Sequence, residues 1–409
     1  MQASSLLFNN LNKTAVIFPA TFLAATAIQQ VSLGLVFFAR DLHHASAVRI
    51  GWISGTWTLC YVAGCLAIQP RFTAIPPRYL TIFAMSMAAV FSLGMQVAPN
   101  ITVLFILSGL FGSCFSLFWP PLVGWLSSGI EGAVLNKRMS RFNLSWCTGA
   151  VLGPFICGWL SRIDVRLPLY TGTVLFIVTV LCLASGQRIP SVRNEQSVPG
   201  TTGTAPAADR STKLRFPAWI SHFSYFLAVG IVMVVFPVQA RTDLLMTTST
   251  IGTILFLRSL FNAVVFDYLG RHKFWHFKVW PMIVTQITGV PCLTWLAFEQ
   301  STAGIALLMC LFGISSGLSY AIALFHGLSG SVNRARRMAL HESILALGST
   351  AGAVIGGLIY EKSGMNTAYL TCAAVLLVTL FPIAMFAQRT PALKDLVPGR
   401  LFAKASIRK

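Results

Sequence analysis

Long apolar stretches, separated by short polar turns, run along almost the whole chain. A helix needs about 20 mostly apolar residues to cross a bilayer, and twelve stretches approach or exceed that length. In the first half the predicted spans are 14–38, 49–69, 79–98, 101–125, 142–160 and 168–186, and in the second half 216–239, 249–266, 278–297, 302–327, 341–360 and 367–387. The pattern predicts an all-α integral membrane protein with twelve transmembrane helices.

The second half repeats residues of the first half at a fixed distance of 199 positions. A basic pair with a methionine recurs, and so do three glycines of the helix that follows. The repeated residues are Lys137, Arg138 and Met139 with Arg336, Arg337 and Met338, and Gly149, Gly153 and Gly158 with Gly348, Gly352 and Gly357. Such a repeat predicts two pseudo-symmetric six-helix bundles, 1–186 and 216–387, on either side of a central path.

The segment 187–215 divides the two bundles and differs from them in composition. It contains runs such as Pro199-Gly200-Thr201-Thr202-Gly203, which cannot bury an apolar core. We therefore predict a flexible cytoplasmic linker there. The basic tail, 388–409, is predicted to lie in the cytoplasm near anionic headgroups.

Lysine and arginine outnumber aspartate and glutamate by 30 to 11, which gives a net charge of +19. With the amino terminus inside, 23 of these cations fall on the cytoplasmic side, six fall outside, and Arg258 falls within a helix. An excess of cations on the cytoplasmic side is the rule for membrane proteins. The distribution predicts cytoplasmic termini and a location in the cytoplasmic (inner) membrane. No basic run is interleaved with aromatic residues, so nucleic acid is not an expected partner.

The sequence after the predicted eighth helix reads Asp267-Tyr268-Leu269-Gly270-Arg271-His272-Lys273. This segment resembles the Asp-x-x-Gly-Arg-x-Lys loop of the major facilitator superfamily, and the resemblance extends over almost the whole chain through the repeat and the linker. It implies a secondary transporter that works by alternating access, usually as a monomer. In that family the charges of the loop latch the cytoplasmic side, which implies the same role for Asp267, Gly270 and Arg271.

A glycine–proline motif in the predicted fifth helix consists of Gly149, Gly153, Pro154 and Gly158. It is similar to a motif of the same family that is associated with antiporters. Small residues four positions apart let two helices approach closely in lipid, and Pro154 removes a backbone hydrogen bond and permits bending. The second copy of these glycines, in the predicted eleventh helix, favours ordinary close packing as the role of both.

Arg258 lies midway along the predicted eighth helix, and no predicted helix carries Asp or Glu at comparable depth. A charge near the centre of the bilayer costs at least about 2.5 kcal/mol, so its presence calls for a reason. The guanidinium either pairs with a carboxylate or phosphate of the substrate in a watery cavity, or bonds to carbonyls of neighbouring helices. Asn262 lies one turn further on and shares the same face. We predict that both residues bind substrate.

Four further residues are candidates for the same cavity. Gln29 and Gln30 occupy the middle of the first predicted helix, where an amide either lines a cavity or joins two helices. Trp119 and Tyr320 are related by the repeat. Each of these aromatic residues either lines the cavity or packs within its own bundle.

A proton-coupled carrier needs a titratable group on its path. The candidates are His222, His326, His341 and Glu342, and a histidine can change charge near physiological pH. Asn143 is related to Glu342 by the repeat and is predicted to share its role in coupling or gating. Capping and interfacial contacts are the alternative role of these side chains, and sodium coupling or uniport are alternative mechanisms.

The sequence predicts transport of a small organic solute, and Arg258 favours an anion. The alternative is a multidrug or metabolite efflux antiporter of the same fold, which the glycine–proline motif and the aromatic content favour. No nucleophile arrangement, metal-ligand spacing or phosphate-binding glycine loop is present in the sequence, so we predict no enzyme, cofactor or metal. The expected partners are the solute, the bilayer and protons.

Overall fold

A computed structural model describes residues 2–72, 74–127, 132–185, 212–329 and 334–389, and contains helices but no strand within these ranges. The helices of the first half are α1 (Gln2–Asp41), α2 (Ala47–Ala63), α3 (Pro77–Gln96), α4 (Ile101–Ser116), α5 (Trp119–Ser127), α6 (Gly132–Ile163) and α7 (Leu167–Ser185). Those of the second half are α8 (Arg215–Thr242), α9 (Thr248–Arg271), α10 (Trp280–Leu296), α11 (Thr302–Leu328) and α12 (Arg334–Arg389). We call α1–α7 the N-terminal half and α8–α12 the C-terminal half.

Ten of the described segments are long and apolar enough to cross a membrane. One of them, Leu340–Phe386, has 47 residues and therefore exceeds the length of a single crossing. It is broken at Gly364, where φ is +77°, a conformation that glycine adopts without strain. The sequence predicts a loop between 360 and 367, whereas the chain turns at this one glycine.

The fourth predicted span, 101–125, is not one continuous helix. It is divided into α4 and α5 at Leu117 and Phe118, whose amides bond to the carbonyls of residues three positions earlier. Pro120 and Pro121 follow at once, and proline is tolerated in the first turn of a helix but breaks its interior. The break therefore follows from the proline pair, which the apolar pattern alone did not resolve.

The predicted linker and tail fall largely outside the described residues. Of 187–215 the structure describes 212–215, where α8 begins, and of 388–409 it describes the last two residues of α12. The flexible cytoplasmic linker and the headgroup-associated tail stay predictions.

The two halves pack their helices in the same pattern. In the N-terminal half α1 packs on α6, α2 on α4, and α3 on α7. In the C-terminal half α8 packs on α12, α9 on α11, and α10 on α12. Through the sequence repeat, each of these contacts in the N-terminal half corresponds to one in the C-terminal half. The repeat is therefore present in the helix packing as well as in the sequence.

Two of the close contacts between helices also occupy equivalent positions in the two halves. A side chain at Gly112 would overlap the backbone of Trp57, and one at Gly313 would overlap the backbone of Arg258. Backbones approach this closely in apolar surroundings because glycine has no side chain. The second of these contacts fixes the position of α9, and with it the position of Arg258, against α11.

Gly352→Ala should destabilise the protein because the new methyl group would overlap the carbonyl of Leu227 in α8. Overpacking of this kind costs about 1–3 kcal/mol. Gly270→Ala is the matched control, since nothing lies within 4 Å of the Cβ it would add. Alanine is the better helix former, so this variant should be as stable as the wild type or more stable. Thermal unfolding of both purified variants checks the difference, and equal unfolding temperatures would contradict it.

Candidate functional site

The two halves meet at the end of the molecule where α2 and α9 begin, and we call this the closed end. A Cβ at Gly158 would lie 2.5 Å from the carbonyl oxygen of Thr248, and one at Gly357 would lie 2.6 Å from that of Ala47. The first contact joins α6 to α9 and the second joins α12 to α2, so each half supplies one glycine and one helix start. No side chain larger than that of glycine fits either contact without a shift.

Two polar contacts join the halves at the same end. The Glu361 carboxylate accepts a hydrogen bond of 2.7 Å from the backbone amide of Val48, in the first turn of α2. An acidic group is stabilised there by the helix dipole and the unpaired amides. Asp41 at the end of α1 forms an ion pair of 3.4 Å with Arg241 at the end of α8.

An apolar plug lies beneath these contacts. It consists of Leu33, Phe37 and Cys157 from the N-terminal half, packed in one buried cluster with residues of α8 and α9 such as Phe236 and Ile251. None of these five side chains is more than 5% exposed. Leu33, Phe37 and Cys157 pack there on residues of the other half, so separation of the halves at this end would expose these three side chains.

At the opposite end the predicted latch residues bond within their own helix. Asp267 and Arg271 form an ion pair of 2.7 Å, with side chains 53% and 72% exposed. The sequence places them in a loop after the eighth helix, but they lie in the last turns of α9. Their spacing of four residues lets the ion pair stabilise that last turn, so the helix continues to Arg271. Gly270 has nothing near its Cβ position.

Arg258 lies half-buried in the middle of α9. The described residues offer it no carboxylate within ion-pair distance, and its Nε has no hydrogen-bond acceptor among them. One of its terminal nitrogens lies 3.5 Å from the hydroxyl of Ser259, at the outer limit of a hydrogen bond. The Tyr225 hydroxyl of α8 lies within electrostatic range. The guanidinium thus has most of its hydrogen-bonding capacity unused.

The other predicted polar residues divide between packing and open positions. The Asn262 amide donates to the Ser316 hydroxyl of α11 at 2.8 Å. Gln30 is fully buried, and its amide donates to the Pro168 carbonyl and the Thr171 hydroxyl of α7. It therefore joins two helices, one of the two roles that the sequence left open. Gln29 is half-buried beside Gly153.

Glu342 lies at the centre of a titratable cluster that includes residues of both halves. It accepts a hydrogen bond of 3.2 Å from the Tyr320 hydroxyl. His341 stacks on His222 of α8, with ring centroids 4.5 Å apart and an angle of 12° between the rings. Both histidines are fully buried, and none of their four ring nitrogens has a hydrogen-bond partner among the described residues.

Residues of the N-terminal half face the same cluster. Tyr61 of α2 and Cys65, two residues beyond the end of α2, lie within electrostatic range of Glu342, and Cys147 of α6 lies within range of Tyr320. The cluster therefore connects α2, α6, α8, α11 and α12.

The remaining predicted residues lie beside this cluster or apart from it. Trp119 is half-buried and packs edge-on against Phe118 and Phe142 within its own half. Asn143 is half-buried one turn before Cys147. His326 is buried among aromatic residues near the end of α11, where its Nδ1 lies 2.9 Å from the Ile322 carbonyl.

The glycine–proline motif is used in helix packing. Gly149 and Gly153 lie against the backbone of α1, and their repeat partners Gly348 and Gly352 lie against the backbone of α8. The carbonyl of Pro154 lies 2.5 Å from the position that a Cβ at Gly252 would take. The motif thus places α6 between α1 and α9.

A family model described as Major Facilitator Superfamily matches residues 17–328, most of the chain. The chain belongs to the major facilitator superfamily. No curated protein matches the sequence. Membership in this family, with transporters as structural neighbours, identifies a membrane transporter and not an enzyme.

Several solved major facilitator structures share the fold at low sequence identity. A POT family transporter in complex with a thioalcohol-conjugated peptide has a TM-score of 0.74 at 11% identity, with 92% of this chain and 96% of that chain covered. The nucleoside transporter NupG has a TM-score of 0.69 at 12% identity, with 92% and 98% covered. The human organic anion transporter MFSD10 (TETRAN) has a TM-score of 0.64 at 13% identity, with 91% and 99% covered. At these identities the likeness shows the fold alone.

Sequence reasoning missed the polar contacts of the closed end. No motif in the sequence marks Asp41, Arg241 or Glu361. One signal was available: Ser46 and Thr247 stand at corresponding positions just before α2 and α9, and their side chains cap these helices. Two capped helix starts in one surface region indicate where an acidic side chain of the other half can bind.

Proposed function

We propose that this chain is a secondary transporter that moves a small organic anion across the cytoplasmic membrane by alternating access, as a monomer. The observation that carries the proposal is Arg258, a half-buried cation in the middle of α9 without a carboxylate partner among the described residues. An arginine in such a place presents several donors in a planar fork that fits carboxylate and phosphate groups.

The proposal includes twelve spans in two bundles. The ten apolar segments become twelve when α12 is divided at Gly364 and the 17-residue α10 is added. The paired packing of the halves supports two bundles related by a pseudo-two-fold axis. The distribution of lysine and arginine supports cytoplasmic termini. We propose that in this orientation the closed end faces outside, as in an inward-facing transporter.

The titratable cluster around Glu342 supports proton coupling. Protonation of the carboxylate would change its electrostatic interaction with Tyr61 of α2 and with Cys65, both of the N-terminal half. Asp267, Gly270 and Arg271 would then latch the opposite end when the inward-facing state closes. In the present state the two charges satisfy each other within α9.

A multidrug or metabolite efflux antiporter is the second candidate. The half-buried aromatic residues Trp119 and Tyr320 and the carboxylate of Glu342 favour it, because a hydrophobic cation binds to aromatic rings and an acid. The glycine–proline motif carries less weight than the sequence suggested, because Gly149 and Gly153 pack on α1.

A thermal-stability screen of the purified protein tests the two functions against each other. Small carboxylates and phosphate esters should raise the unfolding temperature, because a ligand that binds only the folded state stabilises it by about 2.7 kcal/mol at 100 times its Kd. Hydrophobic cations should have no effect. Stabilisation by cations alone would exclude the anion proposal and favour the efflux antiporter.

Glu342→Gln should abolish proton movement coupled to the transported anion. The glutamine side chain keeps an acceptor for the Tyr320 hydroxyl but cannot bind or release a proton. The measurement is the internal pH of proteoliposomes during anion uptake. Glu299→Gln is the matched control, because Glu299 lies in the turn between α10 and α11, where its carboxylate accepts hydrogen bonds from Trp295 and Ser301. Unchanged proton movement in Glu342→Gln would rule out this carboxylate as the coupling group.

A further inference from the structure

Charged residues of the membrane-spanning segments lie mostly at the ends of those segments. Among the described lysines and arginines Arg258 is the exception, since it lies about 15 Å from the start of the segment Thr248–Arg271 at 1.5 Å per residue. Lys362 is also away from a segment end, but it lies beside the break at Gly364, in the turn at the closed end. The described segments therefore hold one cation at mid-membrane depth.

The stacked histidines do not supply a second positive charge. His222 and His341 are fully buried, and their ring nitrogens have no hydrogen-bond partner among the described residues. Their ring contacts are with each other, with Phe226 and with Tyr320. A buried charge without a counter-charge is costly, and no described carboxylate forms an ion pair with either ring. The pair therefore adds no fixed charge that could balance a solute.

The acidic group of the proposed coupling site is a single carboxylate. Glu342 accepts a hydrogen bond from the Tyr320 hydroxyl of α11, which lies within electrostatic range of the Cys147 thiol of α6. The groups that face Glu342 from the other half are the Tyr61 phenol and the Cys65 thiol. No lysine or arginine of the described residues forms an ion pair with it. One carboxylate binds one proton, so the coupling step takes up one positive charge.

These two groups set the charge that the loaded protein can balance. A solute with one negative charge neutralises Arg258, and one proton neutralises Glu342. A second negative charge on the solute would find no further cation at this depth among the described residues. An unpaired charge near the centre of a bilayer is costly, so such a solute would be disfavoured.

We propose that the transported solute carries one negative charge, as the anion of a monocarboxylic acid does, and that one proton moves with it. The inference rests on the proposed function, because it takes Arg258 as the cation that binds the solute and Glu342 as the coupling group. On one side of the membrane the solute carboxylate pairs with Arg258 and a proton binds to a carboxylate oxygen of Glu342. Both leave on the other side. The two charges cancel, so no net charge crosses the membrane in a cycle.

Probes that differ by one charge test the charge of the solute. Succinate has two carboxylates, and succinamate replaces one of them by an amide of nearly the same size. The purified protein should bind succinamate at least about tenfold more tightly, because the second carboxylate of succinate has no partner. The measurement is the concentration of probe that gives half of the maximal rise in unfolding temperature, at equal ionic strength. Benzoate and phthalate are a second pair that differs in the same way.

Accumulation of labelled succinamate in proteoliposomes tests whether net charge moves. A membrane potential of about 100 mV, set by potassium and valinomycin, would change the accumulation about 50-fold if one net charge crossed. We expect no change with potential. A pH gradient should change the accumulation about tenfold per pH unit, the value for one proton per solute.

A second cation beside Arg258 should favour the probe with two charges. Asn262 lies one turn after Arg258, and the backbones of both residues lie against glycines of α11, Gly317 and Gly313. Asn262→Lys should therefore raise the affinity for succinate relative to succinamate about tenfold. Asn262→Gln is the uncharged control at the same position and should not favour succinate. The unfolding temperatures of both variants without a probe show whether they are folded.

Three outcomes would overturn the inference and still leave an anion transporter. They are equal or tighter binding of succinate and phthalate by the wild type, accumulation that changes with potential, and a dependence of about 100-fold per pH unit, which would mean two protons. Failure of every anionic probe to stabilise the protein, or binding without any accumulation, would remove the proposed function together with the inference. If Asn262→Lys does not fold, the comparison of probes on the wild type decides.

Discussion

Arg258→Ala should lower the affinity for stabilising anions about 30-fold or more. Truncating one member of a buried, hydrogen-bonded charge pair costs about 2–5 kcal/mol, and each 1.4 kcal/mol is a factor of ten. The loss should be this large because the described residues provide no second cation near the guanidinium, so no other group replaces it. The measurement is the concentration of anion that gives half of the maximal rise in unfolding temperature.

The matched variants separate charge from geometry. Arg258→Lys keeps the charge but loses the planar fork, so it should recover only part of the affinity for carboxylates. Arg166→Ala removes an exposed arginine from the turn before α7 and should bind as the wild type does. If Arg258→Ala binds anions with the affinity of the wild type, the arginine has a structural role and the substrate is not held by it.

Gly252→Val should open the closed end. A Cβ at this position would lie 2.5 Å from the Pro154 carbonyl and 2.7 Å from the Cα of Gly158, so α6 and α9 must separate. Overpacking costs about 1–3 kcal/mol, which corresponds to a shift of about 5- to 150-fold in the balance between closed and open states. The native thiol of Cys157, fully buried in the apolar plug, reports the change through its rate of modification by a maleimide.

Two other thiols serve as internal controls in the same sample. Cys114 is buried in α4 of the N-terminal half and Cys372 in α12 of the C-terminal half. Peptide mass spectrometry should show faster modification of Cys157 with both controls still protected. Modification of all three thiols would indicate unfolding, and unchanged protection of Cys157 would show that the glycine contact does not hold the halves together.

The sequence predicted the membrane class and the family because these depend on patterns that any packing must respect. Apolar stretches long enough to span a bilayer are accommodated within a membrane. The recurrence of Gly149, Gly153 and Gly158 in the second half requires equivalent helix packing in each half. It did not predict how α4 ends or how α12 turns. Those features depend on local backbone geometry at Pro120, Pro121 and Gly364, which hydropathy does not measure.

The sequence names candidate site residues but does not predict their contacts. An arginine within an apolar helix is visible in the sequence, since its cost is independent of its neighbours. The stacking of His341 on His222 joins residues more than a hundred positions apart, and it depends on how α8 packs on α12. Gln29 and Gln30 illustrate the same limit, because adjacent positions on one helix point to different neighbours.

The contact between the halves at the closed end should depend little on ionic strength, because glycine contacts form part of it. Raising salt from 0.1 to 1 M shortens the screening length from about 10 Å to about 3 Å, which weakens exposed ion pairs such as Asp41–Arg241. Contacts between backbones, such as those of Gly158 and Gly357, and the apolar plug carry no charge to screen. We therefore expect the seal at the closed end to persist in dilute and in saline surroundings alike.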